Sequence, residues 1–138
     1  MERRDILKDQ IEQLGRVLGK MIAKLLKLKD EDAIATTISE VEQELQDELD
    51  LNIEALLKLK DQAIDSYLKD RKFHRSHFEA LGEYLYHSGA LLLKKDEVRA
   101  HHYFNTALAL LDLTDKATRT LSLEREAKKA EIKGLMGR

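Results

Sequence analysis

Helix-breaking residues are almost absent from this chain, which contains no proline and only six glycines among 138 residues. Inside a helix, proline costs about 3 kcal/mol and glycine about 1 kcal/mol relative to alanine. Apolar residues recur three and four positions apart, which is the spacing of one buried helical face. In the first such stretch they are Leu7, Ile11, Leu14, Leu18, Met21, Leu25 and Leu28. The sequence therefore predicts an all-α protein, an antiparallel bundle of five to seven helices.

One domain accommodates these helices, because the chain has the length of an ordinary single domain. The predicted parts are an N-terminal helical hairpin over 1–50, short helices within 51–72, a second hairpin over 73–114 and a capping helix over 115–138. Asp96 is the predicted N-cap of the helix over 97–113, and Thr114 or Asp115 that of the last helix. The last helix is expected to bury a narrow stripe of Leu123, Ala127, Ala130 and Gly134 beside Leu121.

Charge is distributed unevenly along the chain, although its formal net value is only −2. The segment 30–54 carries ten acidic residues and neither Lys nor Arg, whereas every charge over 16–29 is positive. If these neighbouring segments fold back on each other, opposite charges face one another along the flanks of the first hairpin. Such pairs fix orientation more than they add stability.

The stretch 81–114 alternates small and large residues as two closely packed helices require. The residues are Tyr84, Ser88 and Leu91 in one helix and Ala100, Phe104 and Ala107 in the next, with Lys95-Asp96 between them. This pattern resembles one tetratricopeptide-repeat hairpin. His87 and Asp112 depart from it, since the family has Leu and Pro there, and Gly89 is an alternative to Ser88 as the small residue.

The tetratricopeptide resemblance implies a concave surface that binds a peptide. Members that grip a C-terminal carboxylate use Lys and Asn, and the matching positions here are Leu85 and Gly89, so that clamp is not expected. With only one repeat unit, we expect the groove to be filled by 53–68 of the same chain. The overall plan also resembles an uncharacterised family of small bacterial helical proteins, which implies no particular activity.

All five histidines lie between His74 and His102, and this clustering is the best case for a metal or small-ligand site. His74 and His77 are three apart on one helical face, and His101 or His102 could add a ligand from a facing helix. No recognised metal motif is present, so no metal or other cofactor is predicted. These four histidines remain candidates for a binder of metal or small ligands.

Basic residues are enriched in the last helix, at Arg119, Arg125, Lys128, Lys129 and Lys133. They form a possible basic interaction face, and a nucleic-acid-associated regulator is therefore an alternative function. The slightly acidic chain argues against phosphate binding, which usually leaves a stronger basic footprint. Neither a GxSxG elbow nor a glycine-rich phosphate loop occurs, so no catalytic residues are predicted.

The expected function is a non-catalytic protein–protein interaction or scaffold module, in which the chain acts as a homodimer. The partner is an unidentified protein. A cytoplasmic location is expected, because the chain has no cysteine, no secretory signal and no apolar run long enough to span a membrane.

Overall fold

The computed structural model describes the backbone of residues 2–137 and the side chains of residue 9 and of residues 12–137. Within that range the chain folds into seven α-helices and one short 3₁₀-helix, with no strand, which confirms the predicted all-α bundle. The helices are α1 (Glu2–Leu26), α2 (Ile34–Leu49), α3 (Ile53–Leu57), α4 (Gln62–Asp70), α5 (Arg75–Leu92), α6 (Glu97–Thr118) and α7 (Leu123–Met136). The 3₁₀-helix Glu31–Ala33 leads into α2. The predicted seam residues Leu7 and Ile11 lie outside the described side chains.

Side-chain caps define where several helices begin. The carboxylate of Asp96 accepts a hydrogen bond from the backbone N–H of Arg99 at 3.1 Å, which confirms the predicted cap of α6. The Asn52 side chain caps α3 in the same way, by accepting from the Ala55 N–H at 3.0 Å. These caps satisfy backbone donors that have no partner within the first turn of a helix.

The helix α6 is longer than predicted, and the expected cap of the last helix at Thr114 or Asp115 is wrong. The Thr114 hydroxyl donates back to the Leu110 carbonyl at 2.9 Å, so it is satisfied inside the helix. Helix α6 ends only at Thr118, and the C-cap residue Arg119 adopts left-handed backbone angles with φ 56°. Ser122 caps α7 instead, accepting from the Arg125 N–H at 3.3 Å.

The buried face of α7 is also not the predicted one. Leu121 and Leu123 are 80% and 89% exposed. Ala127, Ala130 and Gly134 are exposed as well. The helix instead buries Arg125 and Ile132, which lie two turns apart on one face. The ion pairs of Arg125 with Asp115 and Glu79 set this rotation.

The centre of the bundle is the hairpin formed by α5 and α6, which contact each other more extensively than any other two described helices. The residues of the repeat-like pattern that are buried here are Tyr84, Ser88, Ala100, Phe104 and Ala107, whereas Leu91 is half-buried. The closest approach occurs at Gly89, where an added Cβ would lie 2.7 Å from Phe104 Cε1. Gly89 is therefore the small residue that this helix contact requires.

Other helices cover both sides of the hairpin. Helix α1 makes the larger contact, against α5, and α3 packs against α6. Leu85 on α5 is fully buried as a result. The expectation that 53–68 fills the groove was incomplete: Ile53 and Ile64 do lie in the core, but α1 provides the main cover of α5. Between α1 and α2, Lys24 and Glu44 form an ion pair at 2.6 Å, in line with the opposite charges of these segments.

We expect Gly89→Ala to lower the free energy of unfolding by about 1–3 kcal/mol, because the added Cβ would lie 2.7 Å from the fully buried Phe104 ring and would force the packing there to shift. The matched control is Gly19→Ala in α1, where an added Cβ meets nothing within 4 Å. This control should gain about 0.5–1 kcal/mol from helix propensity alone. Urea unfolding of both variants measures the difference. Equal effects of the two substitutions would contradict the close packing at Gly89.

Candidate binding cleft

A cleft of about 550 Å³, open to solvent, lies between α2, α3 and the turn from α5 to α6. Its floor is aliphatic and consists of Ala35, Ile38, Ile53 and Leu92. Its rim is polar and consists of Ser39, Gln43, Gln46, Asn52, Glu54, Lys95, Asp96 and Arg99. The volume is within the range of about 300–1,000 Å³ that is typical of ligand pockets.

The face of α2 that lines the cleft follows directly from helical periodicity. Ala35, Ser39 and Gln43 are spaced four apart, and Ile38, Glu42 and Gln46 follow the same spacing on the adjacent row. Residues at these intervals stand above one another on one side of a helix. The same helix buries its other apolar residues, among them Val41 and Leu45, in the core.

A polar cluster around Glu42 lies where α2 meets the hairpin. Glu42 Oε2 accepts hydrogen bonds from the hydroxyls of Tyr84, at 3.4 Å, and Tyr103. Arg99 Nη2 lies 3.8 Å from Glu42 Oε1, donates to the Tyr103 hydroxyl at 3.2 Å and pairs with Glu54. One carboxylate therefore links α2 to both helices of the hairpin, and Arg99 extends the cluster to α3.

Burial dominates the acid–base behaviour of this cluster. Desolvation raises the pKa of Glu42, against the opposing effects of the Tyr103 hydrogen bond and the Arg99 charge. The pKa values of Tyr84 and Tyr103 are raised well above the ordinary tyrosine value, by burial and by the neighbouring Glu42 carboxylate. Both phenols therefore remain neutral hydrogen-bond donors. The cluster can anchor α2 and present carboxylate oxygens at one end of the cleft.

The sequence reasoning did not identify Glu42, Arg99 or Tyr103 as site residues. The sequence contains one signal for Glu42. This residue lies four positions after Ile38 and three before Leu45, which places it beside the buried face of α2. A charged residue is rarely buried unless it is paired. That position therefore points to a partner on another helix, although the identity of the partner depends on the fold.

The candidate histidines lie in two separate pairs: His74 and His77 are neighbours at the start of α5, with ring centres 6.2 Å apart, whereas His101 and His102 lie near the start of α6. His74 caps α5, and its backbone N–H donates to Nδ1 of the buried His77 at 2.8 Å. This end of α5 lies beside the end of α6, since Arg75 donates to the Ala117 carbonyl. His101 instead packs against Phe104 near the start of α6, and its neighbour His102 is exposed. No group of three His, Asp or Glu side chains within the described residues is arranged to hold a metal ion.

The five basic residues of the C-terminal region do not share one open face. Arg125 is buried against Asp115, at 2.6 Å, and Glu79. Lys129 pairs with Asp112 and Asp115. Lys128 pairs with Glu83 and lies 4.0 Å from the centre of the Tyr86 ring. Of the predicted five, Arg119 and Lys133 are exposed and the other three are buried or half-buried, because those three attach α7 to the hairpin.

No protein-family model, no curated protein and no solved structure matches this chain. The tetratricopeptide and bacterial-family resemblances therefore stay predictions. Among the helices within residues 2–137, none is both long and apolar enough to cross a membrane.

The raised pKa of Glu42 predicts a characteristic pH dependence of stability. Between the ordinary glutamate pKa and the raised folded value, the folded state binds more protons than the unfolded state, so Glu42 lowers stability as pH rises. Glu42→Gln removes this titration. We therefore expect the unfolding free energy of the wild type, minus that of the variant, to fall as pH rises from the ordinary glutamate pKa of 4.5 through the raised pKa of folded Glu42. Urea unfolding across the pH range tests this, and a difference that rises with pH would contradict the assignment.

The Arg125 ion pairs predict that α7 depends on one side chain for its attachment. In Arg125→Ala, Asp115 and Glu79 lose a partner, so the amides of α7 should exchange hydrogen faster while those of α5 and α6 keep their protection. Arg119→Ala is the control, since Arg119 is exposed. Hydrogen-exchange mass spectrometry resolves the helices. Unchanged exchange of α7 in Arg125→Ala would show that the apolar contact at Ile132 is sufficient.

Proposed function

We propose that this protein is a non-catalytic interaction module that binds a short segment of a partner protein in the cleft between α2, α3 and the start of α6. The observation that carries the proposal is the pairing of an aliphatic floor with a polar rim, which includes amides, carboxylates and the two cations Lys95 and Arg99. An apolar floor takes up a side chain, and a few polar groups at the rim fix its orientation. This combination suits a peptide with one or two aliphatic anchors.

The rim supports recognition of an extended backbone. Gln43, Gln46 and Asn52 each carry an amide with both donor and acceptor atoms. Asn52 already uses its side-chain oxygen to cap α3, and Gln46 donates to Asp50 at 3.2 Å. Gln43 donates to Asp47. The side-chain oxygens of the two glutamines are therefore the acceptors that best suit main-chain N–H groups of a bound segment.

Charge indicates which segment fits. Ten of the 26 acidic residues lie in 30–54, and all 24 Lys and Arg residues lie outside it. The cleft lining carries the carboxylates Glu42, Glu54 and Asp96 and the cations Lys95 and Arg99, so its net charge is slightly negative, and the acidic helix α2 forms one side of it. Complementary charge guides association and discriminates between partners. We infer that the bound segment carries Lys or Arg next to a leucine or isoleucine.

The cleft differs from the surface that the tetratricopeptide resemblance implies. Leu85, on the face that would be concave in a repeat array, is fully buried, because α1 covers α5. The alternative of a nucleic-acid-associated regulator has less support, since Arg125, Lys128 and Lys129 are engaged with acidic residues of the same chain. The cleft beside the acidic helix α2 is therefore a better candidate for a binding surface than the basic residues of α7.

A pair of tryptophan substitutions on α2 tests the proposed binding cleft. Ser39 lines the cleft and Thr36 does not, and both are exposed. Ser39→Trp should therefore block the cleft, whereas Thr36→Trp adds the same bulk on another face. Selection of a displayed random-peptide library on the wild type should enrich peptides that pair Lys or Arg with Leu or Ile. These peptides should bind Thr36→Trp and fail to bind Ser39→Trp; enriched peptides that bind both variants equally would refute the proposal.

A further inference from the structure

Helix α7 makes little apolar contact with the rest of the molecule. Among its apolar side chains Ile132 is fully buried, whereas Leu135 and Met136 are half-buried. The segment 14–25 of α1, by comparison, buries four large apolar side chains, those of Leu14, Leu18, Met21 and Leu25. Stabilisation by burial scales with the apolar area removed from water. Apolar burial therefore attaches α7 less strongly than it attaches α1.

Ion pairs form most of the remaining contact between α7 and the hairpin. Three cations of α7 pair with carboxylates of α5 and α6, and the side chains of these cations are at most 23% exposed. Because they are partly buried and share partners, such pairs contribute more than isolated surface pairs do. The pairs are Arg125 with Asp115 (Nε to Oδ1, 2.6 Å) and Glu79 (Nη1 to Oε1, 3.4 Å), Lys128 with Glu83 (Nζ to Oε1, 3.7 Å), and Lys129 with Asp112 (Nζ to Oδ1, 2.8 Å) and Asp115.

Arg125 also holds the connector between α6 and α7. Its Nη2 donates to the Thr120 carbonyl at 3.1 Å and to the Thr118 hydroxyl at 3.4 Å. The connector turns at Arg119, whose φ of 56° is uncommon for a residue other than glycine. Loss of the Arg125 contacts therefore frees the helix and its connector at the same time.

The carboxylates that hold α7 are charged at neutral pH. The hydrogen bond from Lys129, together with the Arg125 guanidinium, holds the pKa of Asp115 below its ordinary value. The hydrogen bond from His87 and the charge of Lys128 likewise lower the pKa of Glu83. The attraction between α7 and the hairpin therefore acts between full charges, which added salt screens.

We propose that α7 is a strap that charge holds on the hairpin, and that rising ionic strength releases it while the other helices stay folded. The released helix has 14 residues, a length at which an isolated helix is marginal in water. Its departure uncovers the face of α5 and α6 that carries Glu83 and Asp115, together with the apolar surface that Ile132 covers. None of the residues that pair with α7 lines the cleft, so this inference is independent of the proposed function.

Hydrogen-exchange mass spectrometry of the full chain at two salt concentrations tests the strap. Sodium chloride at about 0.1 M and about 1 M gives Debye lengths of about 10 Å and about 3 Å. The amides of α7 should exchange about fivefold faster at the higher concentration, because several ion pairs weaken together and the helix opens locally. The segment 14–25 of α1 should keep its protection and serves as the internal reference.

A matched pair of variants separates the ion pairs from a general effect of salt. Lys129→Gln removes the charge that pairs with Asp112 and Asp115. Lys133→Gln removes the same charge from an exposed position of the same helix that has no ion pair with a described residue. Lys129→Gln should speed the exchange of α7 at the lower salt concentration and reduce its further response to salt, and Lys133→Gln should behave like the wild type.

Three results would overturn the inference. They are an exchange of α7 that does not respond to salt, an exchange of α7 that rises in parallel with that of α1, and an equal response of the two lysine variants. Each would show that apolar contact, rather than charge, holds α7 on the hairpin. Binding of library peptides in the cleft is measured separately, so either proposal can fail while the other stands.

Discussion

The close contact between α5 and α6 is the constraint on which the rest of the molecule depends. Gly89 allows the Phe104 ring to lie where a Cβ would otherwise be, and the two helices then share one continuous core. An apolar hairpin of this kind is not stable alone, because its outer apolar faces remain in water until other helices cover them. The helices α1 and α2, which contact α5, and α3 and α7, which contact α6, supply that layer. The order of the chain thus places a central hairpin between earlier and later covering elements.

Two polar anchors orient the covering helices. Glu42 joins α2 to Tyr84 and Tyr103, and Arg125 joins α7 to Asp115 and Glu79. Apolar contacts are not directional, so they leave the rotation of a helix loosely specified. A carboxylate or guanidinium with partners on a neighbouring helix has far fewer acceptable positions. This explains why α7 turns Leu123 outward although an apolar stripe was available to the helix.

The sequence predicted the helices better than their contacts. Apolar spacing and the absence of proline were sufficient for the all-α class, and the cap at Asp96 was readable from its side chain. The end of α6 could not be predicted from the sequence. Thr114 and Asp115 suit a helix cap, but they also suit a helix interior when other groups satisfy their side chains. The same ambiguity hid the cluster beside the cleft: Glu42 is distant in sequence from Arg99 and Tyr103, and each residue alone has the properties of an ordinary surface or core residue.

By itself, therefore, the sequence determined a helical chain with an acidic second helix and a small-residue site for close packing around Ser88 and Gly89. Local spacing and composition are sufficient for these features, since they depend on residues within one or two turns of each other. Only the tertiary structure decided that the Phe104 ring packs against Gly89 rather than Ser88 and that α1 covers α5. It also decided that Arg125 is buried rather than part of a basic surface. Each of these residues could contact several distant parts of the chain, and those possible contacts compete. The three-dimensional arrangement of the helices determines which contacts form.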